Sequence, residues 1–250
     1  MVDVPSYLAR IAYSGCLEPT AETLRALHHA HLLAVPFENL DISLGRQIVV
    51  DQDAFLKKVV DRGRGGFCYE LNSAFAALLR ALGFRVTFLS ARVARANGGE
   101  GPEFDHLTLR IDIEQPWLAD VGFGDSFIEP LRLSAGIEQP DPAGVFRLIE
   151  DGDRWYMQKK AADGNWKAQY SFSLQERGLQ EFAGMCHHHQ TSPESSFTQN
   201  RICSRATPQG RITLSEMKLI ATDNGQRTET ILDSEAEREK VLREQFGIIL

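Results

Sequence analysis

The sequence has little that would tie it to a membrane, an oxidising compartment or a polyanion. No apolar run approaches the roughly 18 residues that a spanning helix needs. Lysine and arginine number 27 against 34 aspartates and glutamates, for a net charge of −7 and a pI near 5.5. That balance predicts neither nucleic acid nor an anionic membrane as a partner. Cysteine is scarce: Cys16, Cys68, Cys186 and Cys203 are scattered without a framework spacing, the pattern of reduced thiols in a cytoplasm. Met1-Val2-Asp3-Val4-Pro5 lacks the basic and apolar regions of a secretory signal, so a cytoplasmic protein is expected. There is no internal repeat and no low-complexity linker. At 250 residues, 43% apolar and 24% charged, the chain can form one large domain or two to three lobes around a shared core.

What is present centres on Arg64-Gly65-Gly66-Phe67-Cys68-Tyr69-Glu70-Leu71-Asn72. Two glycines precede a cysteine. Leu71, Phe75, Leu78, Leu79 and Leu82 then follow at helical spacing, with Gly83 beyond the end. Cys68 is therefore expected in the first turn of a mostly buried helix, where free N–H groups and the macrodipole favour a thiolate. The glycines are expected to permit a tight turn and an open approach to the sulfur. A buried structural thiol is the plain alternative, and a lone cysteine does not decide between the two.

Residues 1–83 read as helical. Asp3 caps a first helix ending before Gly15. Thr20 caps a second that carries Leu24, Leu27 and Leu32. Pro36-Phe37-Glu38-Asn39-Leu40 reads as a loop, and Asp51 or Asp53 caps a third helix. His28, His29 and His31 on the second helix are expected to be partly exposed rather than metal ligands. From residue 84 the period changes to two. Strands are expected at 84–88, 104–113, 117–121, 145–150, 154–160 and 166–173, with a loop at Asn97–Pro102, forming an antiparallel sheet or barrel. Residues 174–189 read as a short helix or loop-helix. Four further strands and a helix opened by Ser234-Glu235-Ala236-Glu237 complete the chain. Neighbouring residues of Cys186-His187-His188-His189 cannot all face one ion, and no partner pair stands at finger-like spacing, so no metal is expected.

A cysteine nucleophile needs a base, and the base needs an orienting group. Outside the two histidine clusters only His106 remains, on the polar face of a strand whose other face carries Leu107, Leu109 and Ile111. Such a histidine is often a surface residue. The next strand, however, ends in Asp120-Val121-Gly122-Phe123-Gly124. Helix-start Cys, strand His and neighbouring-strand Asp is the geometry of a papain-like or transglutaminase-like site.

The glycine–cysteine stretch, Phe104-Asp105-His106-Leu107 and Asp120-Val121-Gly122-Phe123-Gly124 resemble the three signature segments of the arylamine N-acetyltransferases. Pro36-Phe37-Glu38-Asn39 resembles that family's PFEN loop, and Thr191 to Thr198 the segment before its C-terminal domain. The match runs almost the full chain, in order, and most resembles the shorter bacterial members. The resemblance implies a mixed α+β fold: a helical bundle over 1–83 carrying the cysteine, a central antiparallel β-barrel over 84–190 carrying His and Asp, and an α/β lid over 191–250. It implies a Cys68–His106–Asp120 triad, acetyl-CoA as co-substrate, arylamines or arylhydrazines as acceptors, and no metal. Phe37, Val93, Phe123 and Phe197 match positions lining the acceptor pocket. Gly122, Phe123 and Gly124 match positions near CoA, and Arg64 and Glu38 a supporting charge pair. Arg92, Arg95, Lys159, Lys160, Arg201 and Arg205 are candidates for the CoA phosphates, and the sequence does not choose among them. Nor does it give the oligomeric state.

Two rivals remain at this point. A cysteine hydrolase, a peptidase or deamidase, would use the same triad and release acetate continuously from acetyl-CoA. A binding module would leave Cys68 no more reactive toward iodoacetamide than the other three thiols.

Overall fold

Local capping starts the N-terminal helices. In the computed structural model, which describes residues 2–95 and 98–250, Asp3 caps α1 (Val4–Arg10) through the Ser6 N–H, and Thr20 caps α2 (Ala21–Ala34) through the Thr23 N–H. α1 stops well before Gly15, at Ala12, which takes a left-handed conformation. The expected loop at 36–40 is instead a short strand, β1 (Phe37–Glu38), running into α3 (Leu40–Ser43). Asp51 caps α4 (Gln52–Leu56), which continues as a π-helical turn over Lys57–Asp61. The cysteine helix α5 (Cys68–Ala81) follows, with every residue from Cys68 to Leu79 buried.

The period-two region forms an eight-stranded antiparallel sheet: β2 (Arg85–Val93), β3 (His106–Asp112), β4 (Pro116–Ala119), β5 (Leu131–Arg132), β6 (Gln139–Asp141), β7 (Gly144–Asp151), β8 (Arg154–Lys160) and β9 (Trp166–Ser173). Its order is β5-β4-β3-β2-β9-β8-β7-β6. The two ends of that order approach each other, since the Gln139 side chain accepts from the Arg132 N–H and donates to the Arg132 carbonyl. The sheet is thus a nearly closed barrel. β5 and β6 escape the sequence reading because two- and three-residue strands carry no periodicity. The expected loop at 97–102 begins at Asn97, outside the described residues.

Strand faces explain where the core sits. On β2, Val86 and Phe88 face the helices, while Leu89 and Ala91 face the barrel interior. On β3, Leu107, Leu109 and Ile111 pack against the helices. The polar face of β3 therefore points into the barrel rather than to solvent, and His106 and Thr108 are buried.

A 3₁₀ turn at Leu179–Phe182, α6 (Ala183–Thr191) and α7 (Ser196–Gln199) lead to the last region. There β10 (Ile202–Thr207), β11 (Gly210–Ser215), β12 (Lys218–Asp223) and β13 (Gln226–Ile231) form a meander, backed by α8 (Glu235–Phe246). Its fifth strand is β1, which pairs Phe37 with Ser204 and Glu38 with Cys203. The segment expected as a loop is thus a hydrogen-bonded tie between the N-terminal region and the C-terminal sheet.

Candidate active site

α5 opens where three segments meet. Phe67 precedes its first residue, and Glu70 reaches back to accept the Phe67 N–H at 3.1 Å. The two glycines serve close approach rather than the expected open path. A Cβ on Gly65 would lie 1.9 Å from the Pro36 carbonyl oxygen, and one on Gly66 would lie 2.6 Å from the Glu70 carboxylate. Side chains there would push away the β1 segment and the capping carboxylate.

Cys68 is 3% exposed. Burial pushes its thiol up and the charge of Asp120 adds to this, while the Leu107 N–H bonded to the sulfur opposes it. Burial thus opposes the thiolate that the helix start favours. His106 donates from Nε2 to Asp120 Oδ2 at 2.6 Å, which leaves Nδ1 as its other ring nitrogen. Asp120 Oδ1 accepts from Asn72 Nδ2 at 2.9 Å and from the Gly122 N–H at 3.0 Å. Burial alone would raise the Asp120 carboxyl, but His106, Asn72 and Gly122 outweigh it and hold the group below the ordinary carboxylate range.

Asn72 was quoted in the sequence motif without a role. One turn after Cys68, it donates to the Leu107 carbonyl at 2.6 Å and accepts the Val121 N–H at 2.9 Å. One amide thereby pins α5 to β3 and to the end of β4. The i, i+4 spacing from Cys68 was the available signal. Gly122 lies against the same helix: a Cβ there would come 2.7 Å from both Cys68 Cα and Asn72 Nδ2.

The aromatic residues group around this set. Phe123 and Tyr170 each lie 5.2 Å from the His106 ring. Phe197 packs on Phe67 at 5.7 Å and on Phe37 at 6.2 Å. Gly124, at a φ of +94°, faces the Phe37 ring. Val93 pairs with Tyr170 at the end of β2. Asn39 donates to the Phe197 carbonyl at 3.1 Å and to the Asn200 carbonyl at 2.6 Å, so the segment carrying Phe197 is held by the stretch that carries Phe37.

On the other side of the α5 start lies a buried charge network. Arg64 donates to Glu38 at 2.8 and 3.0 Å and to Asp41 at 3.1 Å. Lys58 reaches Asp41 at 2.7 Å, Glu70 at 2.9 Å and Glu38 at 3.7 Å. Burial lifts Glu70 to about 7 against the pull of Lys58.

Other expectations fare differently. His28 and His31 are fully buried rather than partly exposed, because α2 is covered on that side by Phe75 and, at His28, by Phe127. Of Cys186 to His189, the cysteine and His189 point inward and the two histidines between them are exposed. Among the described residues no group of three or more His, Cys, Asp or Glu is placed to hold a metal ion. Several candidate cations are engaged: Arg92 by Glu103, Lys160 by Glu138, Arg201 by Glu216 and Glu235, and Arg205 by the Leu33 and Gln245 carbonyls. Lys159 instead lines a cleft of about 640 Å³ between barrel and C-terminal sheet, with His29, Asp125 and Arg211. That cleft begins one residue past Gly124.

Known proteins resemble the chain over nearly its whole length. The N-acetyltransferase family model matches residues 20–250. The arylamine N-acetyltransferase of Escherichia coli K12 is 36% identical, over 97% of this chain and 87% of its own. The structure of the Salmonella typhimurium arylamine N-acetyltransferase superposes with a TM-score of 0.93 at 34% identity, covering 99% of this chain and 92% of that one. The Mycobacterium marinum arylamine N-acetyltransferase in complex with CoA gives 0.92 at 32% identity, over 98% and 93%. With five motif segments in register, one buried Cys–Asn–His–Asp cluster and full-length likeness to these enzymes, the chain belongs to the arylamine N-acetyltransferase family.

Proposed function

We propose that the protein transfers the acetyl group of acetyl-CoA to the nitrogen of arylamines or arylhydrazines, with Cys68 as the acetyl carrier. The observation that carries this reading is the hydrogen-bonded line from Asn72 through Asp120 to His106, whose neighbour Leu107 donates its N–H to the buried Cys68 sulfur at the α5 start.

The chemistry follows from the residues. His106 Nδ1 takes the Cys68 proton, and the sulfur attacks the thioester carbonyl. Asp120 holds the Nε2–H tautomer and stabilises the imidazolium. The oxyanion is held by the free Cys68 N–H of the first helical turn. Collapse forms the Cys68 thioester, breaks the carbon–sulfur bond to CoA and returns the proton to the CoA thiolate. The arylamine then attacks the acetyl carbon, His106 takes a proton from its nitrogen, and Cys68 leaves with that proton. Thioester exchange costs little, so the difficulty lies in the second step with a weakly nucleophilic amine.

Phe37, Phe123 and Phe197, with Val93 behind them, suit a planar ring through apolar burial and edge contacts. Gly122, Phe123 and Gly124 form the approach for the pantetheine arm, since a side chain at 122 would meet Cys68. For the CoA phosphates we read Lys159 in the adjoining cleft, where the neighbouring Arg211 is already paired with Asp125 at 3.4 Å. Glu38 and Arg64 keep β1 and the α5 start in register. The same reading divides the chain into a helical bundle (1–83), a barrel (84–190) and a lid (191–250); the barrel interior and the C-terminal sheet each have an apolar cluster, and a larger one joins the helices to β2, β3 and β4. Among the described residues no helix is long and apolar enough to cross a membrane; the scattered thiols favour the cytoplasm. The relatives give the hydrolase alternative no support.

Initial rates against acetyl-CoA at several fixed amine concentrations test the scheme. A carrier cysteine gives parallel double-reciprocal lines; intersecting lines mean direct transfer in a ternary complex.

A further inference from the structure

His28 takes no part in the chemistry above, yet its ring is fully buried within reach of Asp120. Nδ1 meets the Ile128 carbonyl at 2.7 Å, and Nε2 meets the Asp120 backbone N–H at 3.1 Å. A carbonyl only accepts, so Nδ1 carries the proton. An amide only donates, so Nε2 is the bare nitrogen. A single neutral ring thereby joins the two ends of the segment 120–128, the segment that carries Asp120, Gly122, Phe123 and Gly124. The ring lies almost parallel to Phe127, with centroids 5.8 Å apart and 13° between planes. Phe75 meets it edge-on at 6.0 Å. These contacts hold the imidazole in one orientation.

Packing alone does not account for this arrangement. A leucine or phenylalanine would fill the same core without leaving a buried polar ring to satisfy. What the imidazole supplies is one donor and one acceptor on opposite sides, matched to an orphan acceptor and an orphan donor. The Asp120 carboxylate is already held by Asn72 and Gly122; the backbone that carries it is held by His28.

We propose that His28 is a positioning residue for acetyl transfer: it fixes the Asp120 backbone, and through it the orientation of His106, by tying the Asp120 N–H to the Ile128 carbonyl. This rests on the assignment of Cys68, His106 and Asp120 as the reacting set. The titratable groups that face His28 are Asp120, His29 and His31. Burial lowers His28 to about 4, so the ring keeps its donor–acceptor form at neutral pH.

Single-turnover acetylation of Cys68, followed against pH, tests the proposal in His28→Phe, His28→Gln, Asp120→Asn and the double variant His28→Phe/Asp120→Asn. We expect His28→Phe to slow acetylation by about 10²-fold, the scale of an ångström-level misplacement, and to shift the pH–rate profile. His28→Gln, which keeps a donor and an acceptor, recovers part of the rate. In the Asp120→Asn background His28→Phe adds little, because the two act through one carboxylate. An unchanged rate and profile in His28→Phe, or penalties that simply multiply in the double variant, would overturn the proposal. Should His28→Phe fail to fold, ¹⁵N shifts of the wild-type ring decide: a neutral Nδ1–H tautomer across about pH 5 to 8 supports the idea, and a protonated or Nε2–H ring sinks it. If Asp120→Asn itself acetylates normally, the triad assignment is what has failed. If Asp120→Asn is crippled and His28→Phe is not, only the His28 proposal falls.

Discussion

Two buried polar clusters meet at the first turn of α5, and they are built differently. On the barrel side Cys68, Asn72, His106 and Asp120 contain one carboxylate, and each of its oxygens has assigned donors. On the β1 side three carboxylates, Glu38, Asp41 and Glu70, surround two cations, Lys58 and Arg64. The first cluster has directional partners and one mobile proton, which suits proton transfer. The second packs three carboxylates against two buried cations, with Arg46 reaching Asp41 at 3.7 Å from the surface; it is costly to break, and burial leaves Glu70 titrating near neutrality. A buried charge network beside an active site therefore need not belong to the chemistry. Its place here is to hold β1, the π-helical turn and the start of α5 together.

Variants on the two sides should separate rate from stability. Cys68→Ser has the largest expected effect, a loss of at least about 10⁴ in acetyl transfer with the fold kept, because a serine hydroxyl is far harder to deprotonate than a thiol. Retention of a substantial fraction of activity would remove Cys68 from the mechanism. Asp120→Asn comes next. The amide can neither stabilise the imidazolium nor hold the tautomer, and the comparable change in a serine protease costs about 10⁴; near-normal acetylation would show that another group orients His106.

Lys58→Met should act on stability instead. It leaves Asp41 and Glu70 without their shared cation, at a cost of about 3–5 kcal/mol in denaturant unfolding. The folded fraction should still acetylate Cys68 at close to the wild-type rate. A large fall in that rate with stability intact would merge the two clusters into one.

The smallest expected effect is in the pH dependence. The folded carboxyl of Glu70 is raised to about 7, above its unfolded value. Its contribution to stability is therefore complete below the unfolded value and lost as pH rises through about 7. Glu70→Gln should flatten that fall, with the wild-type-minus-variant difference changing by roughly 3 kcal/mol across the window. A difference independent of pH would mean that Glu70 stays ionised throughout.

Much of this was legible in the chain. The start of α5 at Cys68, its end before Gly83 and the alternation of β3 follow from local spacing, and spacing survives folding; His106 was reached by elimination, Asp120 from the end of the next strand, and the triad through the family resemblance. The barrel's short closing strands did not show, because two residues have no period. The burial of His106 did not show either: alternation distinguishes two faces of a strand without telling that both are covered. β1 read as a loop because its strand character comes from Ser204 and Cys203, far along the chain. His28 was placed on the right helix and given the wrong exposure, since its partners Asp120 and Ile128 lie about a hundred residues away. The double glycine was noticed for its flexibility, whereas its use is the approach of the Pro36 carbonyl and the Glu70 carboxylate.

The claim on which the rest depends is that Cys68 carries the acetyl group. Intact-protein mass spectrometry after incubation with acetyl-CoA alone, with no amine present, measures this directly. The account predicts a stable gain of one acetyl group, located on Cys68 after digestion, discharged by adding an arylamine and absent in Cys68→Ser. An unmodified protein that still acetylates amines when both substrates are present, or one that releases acetate steadily without an amine, would contradict it.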